Sequence, residues 1–432
     1  MENGNPDSLV HHSPVTFLVE TGAHMAPLQR QQNPSIEQPI SIALLGATGS
    51  IGTQVLEVVA AYPDYFQLAA LSCGENVERL AQQIQQFQPR CVCVGSNTAK
   101  ETLQTLLPDY PGEVLVGEAG LETLATLPDV SMVVVGLVGF LGLAPTLAAL
   151  KAGKQVRTAN KETFVAGGNL VAPYLAQIIP IDSEHSAIHQ CLKGEDPDCV
   201  EKIWLTASGG PFLKTPFDDI GKQTPSAALK HPNWVMGSRI TIDSATLVNK
   251  GLEVIEAHWL FNQPYEKIDV VIHPQSMVHS GVELMDGSVL MQVGAPDMRV
   301  PILYALAYPR RLKTPFASSK LDVQALQDLT FEAPCLNRFP CLGLAYEAGR
   351  IGGAAPAIFN AADEVAVARF LKEEIGFGDI PKVLAKVLAQ YQDFKNAQTI
   401  ENTSVGLSDL IEWDQWARRQ VVEASFSCVY TI

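Results

Sequence analysis

Between Pro39 and about Gln190, short apolar runs alternate with stretches of helical period. "ISIALLG" reads as a strand and Thr53–Ala61 as a helix; "FQLAALSCG" is the next strand and "ENVERLAQQIQQF" its helix. "CVCVG", "SMVVVG" and "KQVRTAN" continue the series, and Ile178–Ile181 adds a last strand-like run. This alternation predicts βαβ units around a parallel, Rossmann-like sheet. Beyond Gln190 the pattern changes. "EKIWLTASGGPF", "KIDVVIHP", "SMVHSGVELMD" and "GSVLMQVG" read as strands, and "DSATLVNKGLEVIEAHWLF" as one long helix beside them. That predicts an α+β domain with a mostly open sheet. After Cys335 four segments of helical period predict a C-terminal four-helix bundle. The expected layout is a disordered extension over 1–38, a parallel-sheet domain over 39–189, an α+β domain over 190–310, a Pro-containing linker over 311–334 and the bundle over 335–432.

Composition narrows the function. The chain has 432 residues, 47% hydrophobic, with a net charge of -16. An acidic chain argues against nucleic-acid binding, which needs a basic face. It leaves room for a phosphorylated small molecule held by local donors. Val130–Leu150 is 21 residues long and uncharged, the length of a membrane span. Gly136, Gly139, Gly142 and Pro145 interrupt it, so a buried strand, a Gly-rich loop and a helix fit better. Eight cysteines form no CxxC pair, which favours reduced core thiols and a cytoplasmic protein. The extension lacks the apolar core of a secretory signal, and Glu2, Asp7 and Glu20 argue against a plastid transit peptide.

Several segments carry chemistry. In "LLGATGSIGTQVLEVV" three glycines separate a strand from a helix, a phosphate cradle at a helix N-terminus. The spacing is GxxGxxG; a tight turn without ligand is the bland alternative. At the end of the second strand Glu75 suits a ribose, whereas Arg79 a turn later suits a 2′-phosphate. "IIPIDSEHSAIH" places Asp182 and Glu184 at a strand C-terminus, where they can share a cation or act as a helix cap and a first-turn acid. His185 and His189 have the i, i+4 spacing of zinc ligands, but no third nitrogen or sulfur ligand is near. In "IDSATLVNKGLEVIEAHWLF", Asn249, Lys250 and Glu253 project to one side of a helix near Ser244. Asp182, Glu184 and Glu253 together form an all-oxygen set suited to Mg²⁺ or Mn²⁺. "ALKHPNWVMGSRI" reads as a lid or an anchored surface loop carrying His231, Trp234 and Met236. "ASGGPF" adds Ser208 on a Gly-rich turn, and "TANKE" places Asn160, Lys161 and Glu162 at a strand end.

These segments, with "HPQSMVHS" and "GAPDMR", resemble the 1-deoxy-D-xylulose 5-phosphate reductoisomerase family in type and order over about residues 39–420. The resemblance implies NADPH, a divalent metal (Mg²⁺ or Mn²⁺, with Co²⁺ also accepted) and a homodimer formed through the α+β domain. It implies metal ligands Asp182, Glu184 and Glu253, and substrate contacts from Ser183, Ser208, Ser244, Asn249 and Lys250. His231 and Trp234 would close over the substrate. Met236 and Gly237 would lie near the nicotinamide, with Lys161 between substrate and cofactor. Thr48, Gly49, Ser50 and Ile51 would cradle the pyrophosphate, with Gly74, Asn76, Asn160 and Glu162 close by. It implies rearrangement of the ketose phosphate followed by hydride reduction to 2-C-methyl-D-erythritol 4-phosphate. A dehydrogenase without a metal and an inactive binding protein are the rival expectations. Glu75 stands where the family commonly has Lys or Arg against the 2′-phosphate, which predicts weaker discrimination between NADPH and NADH. Asp363 replaces a usual Asn, and Ser238 and Arg239 stand in a stretch usually richer in Lys.

Overall fold

The computed structural model describes residues 38–234, 236–398 and 405–423. Residues 1–37 of the expected extension, and the last nine residues, lie outside them. The first unit runs β1 (Ile40–Leu45), α1 (Ser50–Ala61), β2 (Phe66–Ser72), α2 (Val77–Phe87), β3 (Cys91–Val94), α3 (Asn97–Leu106), β4 (Glu113–Val116), α4 (Gly117–Ala125), β5 (Met132–Val135), α5 (Leu143–Lys151), β6 (Gln155–Thr158), α6 (Glu162–Val171) and β7 (Ile178–Pro180). All seven strands are parallel, in the order β4-β3-β2-β1-β5-β6-β7. The α/β expectation holds, and β4 is a strand the reading did not include. Alternate residues of β1 serve opposite faces: Ile42 and Leu44 pack with α1 and α2, Ala43 and Leu45 with α4 and α5. Burial on both faces is why β1 reads as a continuous apolar run. The order reverses between β1 and β5, which opens the crevice where α/β sheets bind ligands. The uncharged Val130–Leu150 stretch is β5, a glycine-rich 3₁₀ turn and α5. Among the described residues no helix is long and apolar enough to cross a membrane.

The second unit runs α7 (Ser183–Cys191), β8 (Val200–Ala207), two single-turn helices α8 (Phe217–Ile220) and α9 (Pro225–Ala228), α10 (Ser238–Thr246), α11 (Val248–Phe261), β9 (Ile268–Ile272), β10 (Val278–Leu284), β11 (Val289–Val293) and α12 (Arg299–Ala307). Its sheet has the order β11-β10-β8-β9, with only β8 and β9 parallel. The long helix expected from Asp243 onward is two helices. Leu247, with φ 59°, breaks it in the left-handed region. Leu is unusual there, but its side chain is buried beneath the second sheet and holds the bend. Helix α11 is buried on three sides. Leu252 and Ile255 face the C-terminal helices, Val254 and Ala257 face the second sheet, and Lys250 and Glu253 face the crevice.

Four C-terminal helices follow: α13 (Pro340–Ile351), α14 (Ala355–Leu371), α15 (Ile380–Gln398) and α16 (Leu407–Glu423). Their core is continuous with α11 and α6. Helix α12 packs Ile302, Leu303 and Leu306 into the core of the parallel-sheet unit.

His189, on α7, hydrogen-bonds the Tyr304 hydroxyl through Nδ1 at 2.8 Å. Burial, then Arg157 and Lys193, push its pKa down to about 4. The unfolded chain therefore takes up this proton first, near the ordinary pKa of about 6.5. Stability is expected to fall as pH drops through that window. In His189→Gln the loss of thermal midpoint between pH 7 and pH 5 should be smaller than in wild type; an equal loss would contradict the assignment.

Candidate active site

The C-terminal ends of β1, β5, β6 and β7 converge on one cavity of about 1000 Å³. At the β1 end, Gly46 turns the chain with φ 87°, and its amide donates to Ser72 Oγ at 2.9 Å. Helix α1 then begins at Gly49 with no side-chain cap. Gly49, Ser50 and Ile51 line the cavity, so the uncapped amides and the helix dipole favour an anion there. A Cβ on Gly52 would sit 2.1 Å from the Gly46 carbonyl oxygen, so only glycine lets helix and turn close this tightly. These features fit a dinucleotide pyrophosphate.

At the β6 and β7 ends the chain supplies Lys161 and Asp182. One oxygen from each of Asp182, Glu184 and Glu253 lies within 4.8 Å of the others. Two buried ammonium groups hold the set together. Lys161 Nζ lies 2.9 Å from Asp182 and 2.8 Å from Glu253 and donates to Asn249 Oδ1 at 2.8 Å. Lys250 Nζ lies 2.8 Å from Glu184 and also pairs with Glu253. Asn249 Nδ2 donates to Glu253 Oε1 at 2.6 Å, and Ser183 Oγ to Glu184. Burial pulls the Lys161 ammonium down, but Asp182 and Glu253 outweigh it and hold its pKa well above the ordinary range. Burial and the facing Glu253 push the Glu184 carboxyl up to about 7 against the pull of Lys250. Three converging carboxylates are a hard-donor set that fits Mg²⁺ or Mn²⁺.

His185 and His189 do not converge on one point. His185 Nδ1 is 3.2 Å from Asp182, and its Nε2 donates to the Glu253 backbone carbonyl at 3.0 Å, so the ring braces two of the three carboxylate residues. His189 points instead at Tyr304.

The loop after α9 covers the opposite wall. His231 Nδ1 accepts the backbone N–H of Asn233 at 3.2 Å and of Trp234 at 3.0 Å. The proton therefore sits on Nε2, 2.9 Å from Ser208 Oγ. Burial holds this ring's pKa below the usual range, consistent with the neutral form. Trp234 lies beside His279, with ring centroids 6.4 Å apart. Ser208, Ser244, Met236, Gly237 and Glu162 line the same cavity.

Four expected residues do not line the cavity. Thr48, Gly74 and Asn76 are not part of the cavity lining, and Asn76 caps α2 by accepting the Arg79 amide at 3.2 Å. Asn160 is buried and braces the loop after β5 through the Leu137 and Gly139 carbonyls. The structure adds residues to which the sequence reading gave no role: Asn233, Ser276, His279, Asp297, Met298, Arg299 and Ser318. Most of the added residues sit in or beside "HPNWVMG", "HPQSMVHS" and "GAPDMR", whose presence was the available signal. Arg299 pairs with Asp297 at 2.7 Å and with Glu57 of α1 at 3.0 Å, tying this wall to the nucleotide side.

Sequence and structure comparisons agree. The 1-deoxy-D-xylulose 5-phosphate reductoisomerase family model matches residues 42–168, and its two C-terminal domain models match 178–261 and 293–420. The chain is 50% identical over 389 residues to the 1-deoxy-D-xylulose 5-phosphate reductoisomerase of Thermosynechococcus vestitus, covering 89% of this chain and 92% of that one. It is 51% identical over 389 residues to the Synechococcus sp. protein of that name, covering 89% and 97%. The Zymomonas mobilis reductoisomerase in complex with NADPH superposes with TM-score 0.80 at 40% identity, covering 89% and 98%. A DOX-P reductoisomerase in complex with NADPH, fosmidomycin and magnesium superposes with TM-score 0.83 at 39% identity, covering 89% and 97%. The chain belongs to the 1-deoxy-D-xylulose 5-phosphate reductoisomerase family.

Proposed function

We propose that Asp182, Glu184 and Glu253 hold the divalent cation of this family's reaction, and that Gly49, Ser50 and Ile51 hold the pyrophosphate of its nucleotide. The reaction converts 1-deoxy-D-xylulose 5-phosphate into 2-C-methyl-D-erythritol 4-phosphate with oxidation of NADPH, in isoprenoid precursor biosynthesis. The observation that carries the assignment is the convergence of three carboxylates and two lysines beside a glycine-turned helix N-terminus in one cavity. When bound, the cation supplies Lewis-acid polarisation of the ketose carbonyl, and the nicotinamide supplies hydride.

The protein's own groups do the rest. Lys161, within 2.9 Å of Asp182 and 2.8 Å of Glu253, is the group that would donate to oxygen where negative charge develops. Ser183, Ser208, Ser244, Asn249 and Lys250 hold the substrate. The phosphate lies away from the reacting carbons, so its binding energy orients them. His231 presents a fixed Nε2–H, and with Trp234 it excludes water from the reacting centre. Met236 and Gly237 close the nicotinamide end. Titrating Mg²⁺ calorimetrically is expected to give one ion per chain in wild type and none in Asp182→Asn or Glu184→Gln. Wild-type affinity in those variants would overturn the ligand assignment.

Cofactor discrimination rests on two side chains. Glu75 is exposed, with its carboxylate accepting from Ser96 Oγ at 3.2 Å, while Arg79 Nη1 donates to the Thr48 carbonyl at 3.2 Å beside the glycine turn. Arg79 is thus placed to meet a 2′-phosphate that Glu75 repels. Glu75→Lys is expected to raise the NADPH-over-NADH ratio of kcat/KM by about tenfold, the worth of one exposed charge reversal. Arg79→Met should lower it. An unchanged ratio in both would place recognition on the backbone.

A cytoplasmic homodimer completes the reading. The seven described cysteines are free, and β11 is a sheet edge carrying exposed Val289 and Val293 beside exposed Met285. Light scattering that returned a monomer mass at micromolar concentration would contradict the dimer.

A further inference from the structure

Arg239 stands in the wall between two cavities, the active-site cavity and a second of about 540 Å³ bounded by α14, α16 and the loop after β5. It lies two residues past Gly237, at the foot of the loop that carries His231 and Trp234. Its side chain is 17% exposed and reaches in two directions. Toward the nucleotide side, Nη1 donates to Glu162 Oε1 at 2.8 Å. The same oxygen accepts the Gly139 amide at 3.0 Å, from the loop whose Val138 lines both cavities. Toward the helical bundle, Nη1 donates to Glu364 at 3.0 Å and Nη2 to Asn360 at 2.7 Å. Asp243 and Asp363 stand 3.5 Å away on either side.

Four carboxyl groups around one guanidinium exceed what balancing its single charge needs. A buried ion cluster adds little net stability, but the planar fork fixes the direction of each contact. The chain Gly139–Glu162–Arg239–Gly237 is a continuous hydrogen-bonded and covalent path from the cofactor loop to the substrate loop.

We infer that Arg239 is a positioning residue that couples occupancy of the nucleotide site to the posture of the substrate loop. A nucleotide seated against the loop after β5 fixes Gly139 and Glu162, and Glu162 fixes the loop foot through Arg239. The inference rests on the functional reading above, in which that loop covers the substrate.

The test uses the full chain with Mg²⁺ and takes fosmidomycin, the compound in the solved relative, as probe. Its dissociation constant is measured calorimetrically with and without NADPH. Wild type is expected to bind it about fivefold or more tighter with NADPH, the lower range of allosteric coupling. Arg239→Lys keeps the charge but loses the fork, and should bring that ratio to within about twofold of one while each ligand alone still binds. Glu162→Gln, at the other end of the link, should lower the ratio likewise when it is measured at saturating NADPH. Asp363→Asn, on the bundle side and 3.5 Å from Nη2, should keep the wild-type ratio. A wild-type ratio of one, or an unchanged ratio in folded Arg239→Lys or Glu162→Gln, overturns the inference. An equal fall in all three variants with lowered thermal midpoints also overturns it, in favour of a merely structural role. If wild type binds no fosmidomycin in the presence of Mg²⁺, the functional reading fails and the inference with it.

Discussion

Glu253→Gln is expected to lower kcat/KM by at least about a thousandfold, equivalent to roughly 4 kcal/mol of transition-state stabilisation. Glu253 has no solvent exposure. Its Oε1 accepts from Lys161 at 2.8 Å and from Asn249 at 2.6 Å, and its Oε2 pairs with Lys250. An amide of the same shape removes one of the three anionic groups proposed to hold the cation. It also turns an NH₂ toward one of the two ammonium groups. The cation site and the placement of Lys161 fail together, so excess Mg²⁺ should not restore the rate. The uncompensated lysines should also lower the thermal midpoint, since breaking a buried ion pair costs about 3–5 kcal/mol. Steady-state kinetics across a Mg²⁺ titration checks this; recovery to within tenfold of wild type at high Mg²⁺ would refute it.

Gly52→Ala should act at the other end of the cavity. Its Cβ would meet the Gly46 carbonyl oxygen at 2.1 Å and Ala47 backbone carbon at 2.7 Å, none of which can swing aside. Gly46 cannot retreat, because it already packs against Gly136: a Cβ on Gly46 would lie 2.7 Å from the Gly136 carbonyl oxygen. Helix α1 must therefore move away from the turn. We expect a stability loss of about 3 kcal/mol, the upper range for overpacking. NADPH affinity should fall about a hundredfold or more, since the amides that face the pyrophosphate no longer align. Mg²⁺ binding should survive, because the carboxylates hang from β7, α7 and α11. NADPH affinity within threefold of wild type would show that the turn does not bind the cofactor.

What the sequence revealed follows from range. β1 and β5 were legible because strands buried on both faces read as apolar runs. β4 was not, because "EVLV" is a half-buried edge strand of four residues. Asp182 and Glu184 stood out through their place at a strand end, and Asn249, Lys250 and Glu253 through helical spacing. The contact of Lys161 with Glu253 spans 92 residues, and spacing alone carries no trace of it. The break at Leu247 was hidden because the left-handed residue is a buried leucine and not a glycine. The packing of α12 on α1 depends on contacts made across more than two hundred residues, so the end of the second unit could not be read from local pattern. Arg239 was marked only by a stretch usually richer in Lys, because Glu162, Asn360 and Glu364, which meet around it, are distant in sequence.

The most direct measurement is NADPH oxidation by the purified chain with 1-deoxy-D-xylulose 5-phosphate, before and after removal of divalent metal by a chelator. The account predicts one NADPH consumed per 2-C-methyl-D-erythritol 4-phosphate formed, loss of turnover on chelation, and recovery with Mg²⁺ or Mn²⁺. Turnover that persists without metal, or metal-replete protein that oxidises no NADPH with this substrate, would contradict it.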